Sequence, residues 1–300
     1  MLNWIYFVLI AQGIWSITSL IDKIVISKGY IKNPLVYIVL NGLMNVLLIF
    51  LLPFVGFEPL KLMDFLIVVI SGFLFTASVI LYYKAVQYDE ISKIAVLFQL
   101  APVFVLTLSF LILGEVLTKN HLIGFLFLLS AGVIVSYKKV ENSFKLSKAF
   151  YLMLISAICG AISFVAAKHI FNVTSFWSAF LWIRLSGFTA LFVLFIPSIR
   201  NQFVETFKNM KNKIKLLLSF KMLIDFSAFI FAGYAIINAP VIALISALAS
   251  STLPALVFIL TLITSLYFPK LIKESIDKKA ILTKVLSIAL IIIGIVFVNL

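Results

Sequence analysis

The sequence predicts an all-α membrane protein, ten transmembrane helices in two inverted five-helix repeats, and three observations carry that prediction. Hydrophobic residues make up 64% of the chain and charged residues only 12%, a balance that soluble globular domains do not show. The apolar residues gather into ten stretches, 4–26, 34–56, 62–86, 91–113, 119–137, 149–171, 176–197, 214–237, 240–268 and 280–298. Each is near the length of about 20 residues that a helix needs to cross the hydrocarbon core. The pattern also repeats: LFQLAPVFVLTLSFL at 97–111 returns as ASSTLPALVFILTLI at 249–263, with Pro102 over Pro254. A transmembrane barrel is excluded, because it would show weakly alternating segments of about ten residues.

The elements match in order across the halves. The first stretch follows Met1-Leu2-Asn3, with no basic n-region and no small-residue cleavage site, so a retained span is expected and not a signal peptide. It ends in Lys23, and the sixth ends in Lys168. Pro53 closes the second stretch and Pro197 the seventh. Tyr82 in the third and Tyr234 in the eighth each lie 20 residues before the proline of their half. The fifth and tenth carry Gly132 and Gly294; Pro254 to Gly294 is 40 residues against 30 from Pro102 to Gly132, which places an insertion at 270–279. The polar stretch 138–148 divides the chain into repeats 1–140 and 141–300. Five spans per repeat, an odd number, inverts the second relative to the first, and transporters build a midplane binding site between such repeats.

Charge sets the orientation. The net charge of +13 is concentrated in alternate connections. Nineteen of the 24 basic residues lie there: Lys23, Lys28, Lys32, Lys84, Lys93, Lys138, Lys139, Lys145, Lys148, Arg200, Lys208, Lys211, Lys213, Lys215, Lys270, Lys273, Lys278, Lys279 and Lys284. Basic loops stay in the cytoplasm. Both termini are therefore expected outside it, and the basic excess marks membrane orientation, with nucleic acid excluded as a partner.

Polar residues within the spans are the candidates for function, since a charge at bilayer depth costs about 2.5–3.5 kcal/mol on insertion scales. Arg184 and Asp225 lie near the middle of the seventh and eighth spans, with Lys221 one turn before Asp225 on the same face. They form either a substrate or coupling-ion site or a structural ion pair. Asn41 shares a face with Asn45, and Ser78 with Tyr82. Gln99 precedes Pro102 by about a turn, and Ser251 holds the equivalent place before Pro254. A mid-span proline frees a carbonyl that must be satisfied locally, often beside a cavity. Trp15, Trp182 and Tyr82 could form an aromatic wall against a cation or planar ligand. The expectation is that Trp15, Tyr82, Gln99 and Ser251 line one central space, with Arg184 and Asp225 paired at its polar end. Small residues in the third and ninth spans (Gly72, Ala77, Ser78, Ala243, Ser246, Ala247, Ser250) fit close helix packing.

Other chemistries lack their residues. Cys159 is the single cysteine, so no internal disulfide or multi-cysteine metal site can form. His121 and His169 sit at span ends with no ligand partner at metal spacing. There is no cluster of catalytic groups and no Gly-rich phosphate loop, so neither an enzyme nor an ATP-driven pump is expected.

The run from Tyr88 onward, YDEISKIAVLFQLAPVFVLTLSFLILGEVLTKNHLIGFLFLLSAGVIVSY, resembles the EamA-type domain of the drug/metabolite transporter superfamily. Pro102, Gly114, Glu115, Gly124 and Gly132 carry the resemblance, together with the first-span Trp15 and Lys23 and the second-helix arginine, Arg184. It covers the chain as two copies. The resemblance implies ten helices, a central cavity and alternating access, in a family whose members move amino acids, nucleotide derivatives, sugar phosphates, choline or toxic metabolites. The chain departs from the family's pattern in three ways. Leu266-Tyr267 replaces the Gly-Glu turn in the second copy; the loop charges oppose the usual cytoplasmic termini; and Trp15 stands where small multidrug exporters carry a proton-binding glutamate.

The expectation is a multi-pass protein of the cytoplasmic (inner) membrane, a secondary transporter of a small polar or amphipathic metabolite, exporting amino-acid-like compounds. The alternatives are uptake of a quaternary amine such as choline, or translocation of a lipid-linked sugar, which requires a lateral opening. Expected partners are a small-molecule substrate, membrane lipid and, for uphill transport, a coupling ion; no cofactor or metal is expected. The chain is expected as a monomer or homodimer.

Overall fold

The computed structural model describes residues 3–31, 33–88, 91–136, 148–267 and 278–300, which are helical with short turns and contain no strand. Twelve α-helices follow in chain order: α1 (Asn3–Ser27), α2 (Pro34–Leu47), α3 (Leu62–Val86), α4 (Ile91–Phe98), α5 (Leu100–Leu108), α6 (Lys119–Ser136), α7 (Lys148–Val173), α8 (Phe176–Leu185), α9 (Pro197–Asn209), α10 (Asn212–Asn238), α11 (Ile242–Tyr267) and α12 (Lys278–Asn299). Among the described residues, nine helical segments are long and apolar enough to cross a membrane, and Lys119–Val135 is a shorter tenth. The fold is thus that of a ten-helix membrane protein. The border between the halves and the insertion at 270–277, with Lys138, Lys139, Lys145, Lys270 and Lys273, fall outside the described residues, as does Lys32.

Three spans are not single α-helices, and proline accounts for much of this. α2 tightens into a 3-10 helix, Leu48–Phe54, that contains Pro53. α8 likewise continues as a 3-10 helix, Ser186–Phe195, and Pro197 then opens α9. The greater rise of the 3-10 form, about 2.0 Å per residue, lets these 20-residue spans reach across the bilayer. The fourth span breaks at Gln99 between α4 and α5. Pro102 lacks the N–H that would have bonded the carbonyl of Phe98, so the helix opens there. α5 then ends in a π turn, Ser109–Leu113, closed by Gly114 at φ 66°, a left-handed conformation that glycine adopts without penalty.

The halves do not fold side by side. α7 packs on α3 and on α5, while α1 packs on α10 and α11. These are equivalent exchanges under the inversion expected from the sequence. The remaining principal pairings also cross between halves: α6 with α12, α2 with the 3-10 helix of the seventh span, and α5 with α11. Small residues permit the close crossings. A Cβ on Gly124 would lie 2.8 Å from the carbonyl oxygen of Gly294, and one on Gly72 2.5 Å from that of Ser186. Ala243 and Ala247 are fully buried in α11. The outer surface is apolar, with Phe54 82% and Leu111 69% exposed, as lipid contact requires.

The segment 201–215, read from the sequence as polar connection, is partly helical. α9 turns Ile199 inward and packs Phe203 against the cluster of Val25, Val36, Val39 and Leu218. Its exposed residues include Arg200, Asn201, Glu205 and Lys208 together with Val204 and Phe207. An amphipathic helix of this kind lies along a membrane surface. Asn33 Nδ2 donates to Gln202 Oε1 at 2.9 Å and ties α9 to the start of α2.

Candidate functional site

Ten crossings put the start of α1 and the end of α12 on one side of the bundle, called here the termini side. The connections 55–61, 114–118, 174–175 and 239–241 lie on that side, and charged groups seal it. Lys168, 6% exposed, donates from Nζ to the carbonyls of Ile236 (2.5 Å) and Ala239 (3.0 Å) at the end of α10. Glu115 Oε2 accepts from the N–H of Ile242 (2.9 Å) at the start of α11. A cation at a helix C-terminus and an anion at an N-terminus each oppose the local dipole charge. The Gly114-Glu115 turn and Lys168 therefore clamp the α10–α11 connection from both ends. Beside them His169 Nε2 meets Asp64 Oδ1 at 2.8 Å.

Arg184 lies deeper. It is eight residues into α8, about 12 Å along the axis from Phe176. It is half-buried, and its guanidinium sits 3.8 Å from the ring centroid of Phe229 on α10. Trp15 of α1 meets the same ring edge-on at 5.1 Å. No carboxylate lies within ion-pair distance of Arg184 among the described residues. The Gln12 side chain, one turn before Trp15 and 4% exposed, makes no hydrogen bond among the described residues. Trp15 and Arg184 thus meet on the Phe229 ring from the first and seventh spans, with Gln12 one turn from Trp15 on α1.

Asp225 does not join Arg184, which corrects the expected pair. Its carboxylate lies 2.8 Å from Lys221 Nζ, one turn away on α10. Lys221 also reaches Asp22 of α1 at 3.3 Å, and the Tyr37 hydroxyl donates to Asp22. The charges of α10 therefore close on the side opposite the termini, while the next turn, at Phe229, receives Arg184.

The remaining candidates serve packing. Gln99, 4% exposed, lies against Gly132 and donates from Nε2 to the carbonyl of Ser250 at 3.3 Å. That carbonyl is the one Pro254 leaves without its helical donor. The proline region of the second half is thus completed by a side chain of the first. Ser251 is fully buried, with Oγ donating to Leu248 at 3.0 Å. Ser78 and Ser156 exchange hydroxyl-to-carbonyl bonds, both 2.8 Å, across α3 and α7. Asn41 Nδ2 bonds back to Tyr37 at 3.1 Å. Tyr82 packs among Tyr83 and Phe98 four residues from the end of α3. Trp182 contacts Phe57 and Phe65 and donates to the Glu58 carbonyl at 3.0 Å. The expected aromatic wall does not form, because the 55–61 connection folds onto α8 and engages Trp182 there. Of the four residues expected to line one space, Gln99 and Ser251 are buried in helix contacts, Trp15 packs on Phe229 and Tyr82 on Phe98.

Fold and interior together define a multi-pass helical membrane protein with charged and aromatic groups held between its two halves. Residues 2–137 match the EamA-like transporter family, a match consistent with a membrane transporter of the drug/metabolite type. A solved structure described as "Crystal structure of protein" aligns over 98% of this chain and 98% of its own length, with a TM-score of 0.67 and 18% identity. That likeness is one of fold. No curated protein matches the chain by sequence.

Proposed function

We propose that the chain is a secondary transporter of the cytoplasmic membrane, working by alternating access, and that it exports small amino-acid-like metabolites that carry a carboxylate. Arg184 is the observation that supports this reading. A guanidinium inside a span, free of any described carboxylate and framed by Phe229 and Trp15, is an anion receptor with an apolar surround. Gln12 adds an amide for the polar end of an amino-acid-like molecule, and the aromatic faces suit its side chain. The same cation opposes a quaternary amine, so the choline reading loses support. The second reading, a lipid-linked sugar, draws on an apolar groove of about 370 Å³ between α1 and α11, lined by Gly13, Ile14, Ile17, Leu256 and Leu260.

The test is ligand-induced thermal stabilisation of the purified protein by a panel of amino acids, their decarboxylated amines and a lipid-linked sugar. Carboxylate compounds should stabilise the wild type and fail with Arg184→Gln, and the same compounds should exchange across proteoliposomes. Binding of amines alone, or carboxylate binding unchanged in Arg184→Gln, overturns the reading. Stabilisation by the lipid-linked sugar alone favours the second.

A further inference from the structure

Four side chains on α1, α2 and α10 form a closed group that carboxylate binding at Arg184 does not use. Lys221 stands between Asp225 (2.8 Å) and Asp22 (3.3 Å), Tyr37 donates its hydroxyl to Asp22, and the Lys221 ammonium lies 5.1 Å from the Tyr37 ring centroid. Tyr83 of α3 is a further phenol whose electrostatic neighbours include Asp22. α11, also packed on α1, contains no Asp, Glu, Lys, Arg or His. Two carboxylates against one ammonium leave one negative charge in excess, inside spans where unbalanced charge is costly.

One proton removes that excess. A metal cation would instead have to displace Lys221, whose ammonium already occupies the position between the carboxylates. Exposure distinguishes the two acids: the Asp22 side chain is 28% exposed, Asp225 14% and Lys221 6%. Asp22 is therefore the least enclosed of the three. Asp22 is also the carboxylate on the other helix, so protonating it cancels the α1–α10 ion pair and leaves the Lys221–Asp225 pair within α10 intact.

We propose that Asp22 is the proton-binding site that couples transport, exchanging one proton with the side opposite the termini and releasing α1 from Lys221 when the proton is bound. The step forms one O–H bond on the Asp22 carboxylate, with the proton supplied by water; Tyr37 keeps its own proton. This rests on the transporter reading above and concerns a site separate from Arg184.

Infrared difference spectroscopy of the protein in lipid tests it without any substrate. Acidification should raise a carboxylic-acid C=O band in the wild type that is missing in Asp22→Asn and that appears in Asp225→Asn only at lower pH, since Lys221 then balances Asp22 alone. Tyr37→Phe removes the hydroxyl bond and should shift the band, which keeps the test decisive if Asp22→Asn does not fold. A band unchanged in Asp22→Asn, a band that appears in Asp225→Asn at the same or higher pH than in the wild type, or no shift in Tyr37→Phe overturns the proposal. Failure of carboxylate binding with this band intact would count against the substrate reading alone.

Discussion

At the scale of single residues, the buried charges divide into those that clamp helix ends and those that face the interior. Lys168 belongs to the first group. Lys168→Met removes two charge-assisted hydrogen bonds to the end of α10, and loss of such bonds costs about 1–3 kcal/mol. A lower melting temperature in detergent is expected, partly recovered by Lys168→Arg; an unchanged midpoint in Lys168→Met would contradict the clamp. Sequence reading found Arg184, Asp225, Lys221 and Gln99 because a polar side chain in an apolar run is conspicuous. It missed Asp22, whose place beside Lys23 near the end of a stretch reads as interfacial, and Gln12, a lone amide without a repeat partner. Neither omission was forced, since both residues are polar positions within a span. Their neighbours were not legible. Helical spacing says which residues share a face, whereas the meeting of Asp22 with Lys221 is set by how α1 crosses α10.

Among the elements, the ten spans were legible because hydrocarbon thickness fixes their length. The break at Gln99 follows from Pro102 and was foreseeable as a bend. The 3-10 ends of the second and seventh spans were not, because no residue pattern separates a tightened turn from an α turn without its packing partners. α9 was missed because its composition is largely polar and only Ile199 and Phe203 of its apolar residues reach the core cluster. The α6–α12 crossing gives a test at this scale. Gly124→Ala puts a methyl 2.8 Å from the Gly294 carbonyl oxygen, and overpacking of this kind costs about 1–3 kcal/mol. Gly13→Ala, with nothing within 4 Å of its new methyl, is the control. Monodisperse yield should fall for the first and hold for the second; equal yields would mean the crossing relaxes.

For the whole molecule, the repeat supplied the frame and the sequence revealed it, but the chemistry is not duplicated. By the repeat alignment the counterparts of Asp22, Lys221, Asp225 and Arg184 are Ala167, Val69, Phe73 and Leu40. A duplicated scaffold therefore holds one charged interior and not two. Orientation remains a prediction from the lysines. A C-terminal alkaline phosphatase fusion should be active and a C-terminal green fluorescent protein dark, and the reverse result would place both termini in the cytoplasm.

Lys168 and Lys23 occupy matching places in the two halves, yet one is 6% exposed and the other open to solvent. α7 touches α10, while the matching pair α1 and α3 lacks comparable packing. Under the alternating-access cycle proposed above, exchanging the conformations of the halves would convert this static asymmetry into a second state. In it Lys23 would swing inward to the carbonyls of Lys84 and Gln87, the positions matching Ile236 and Ala239, and Lys168 would come out. The two lysines should then react with an amine reagent in opposition, so that any condition protecting one exposes the other. Peptide mapping that finds both protected together would rule out the exchange.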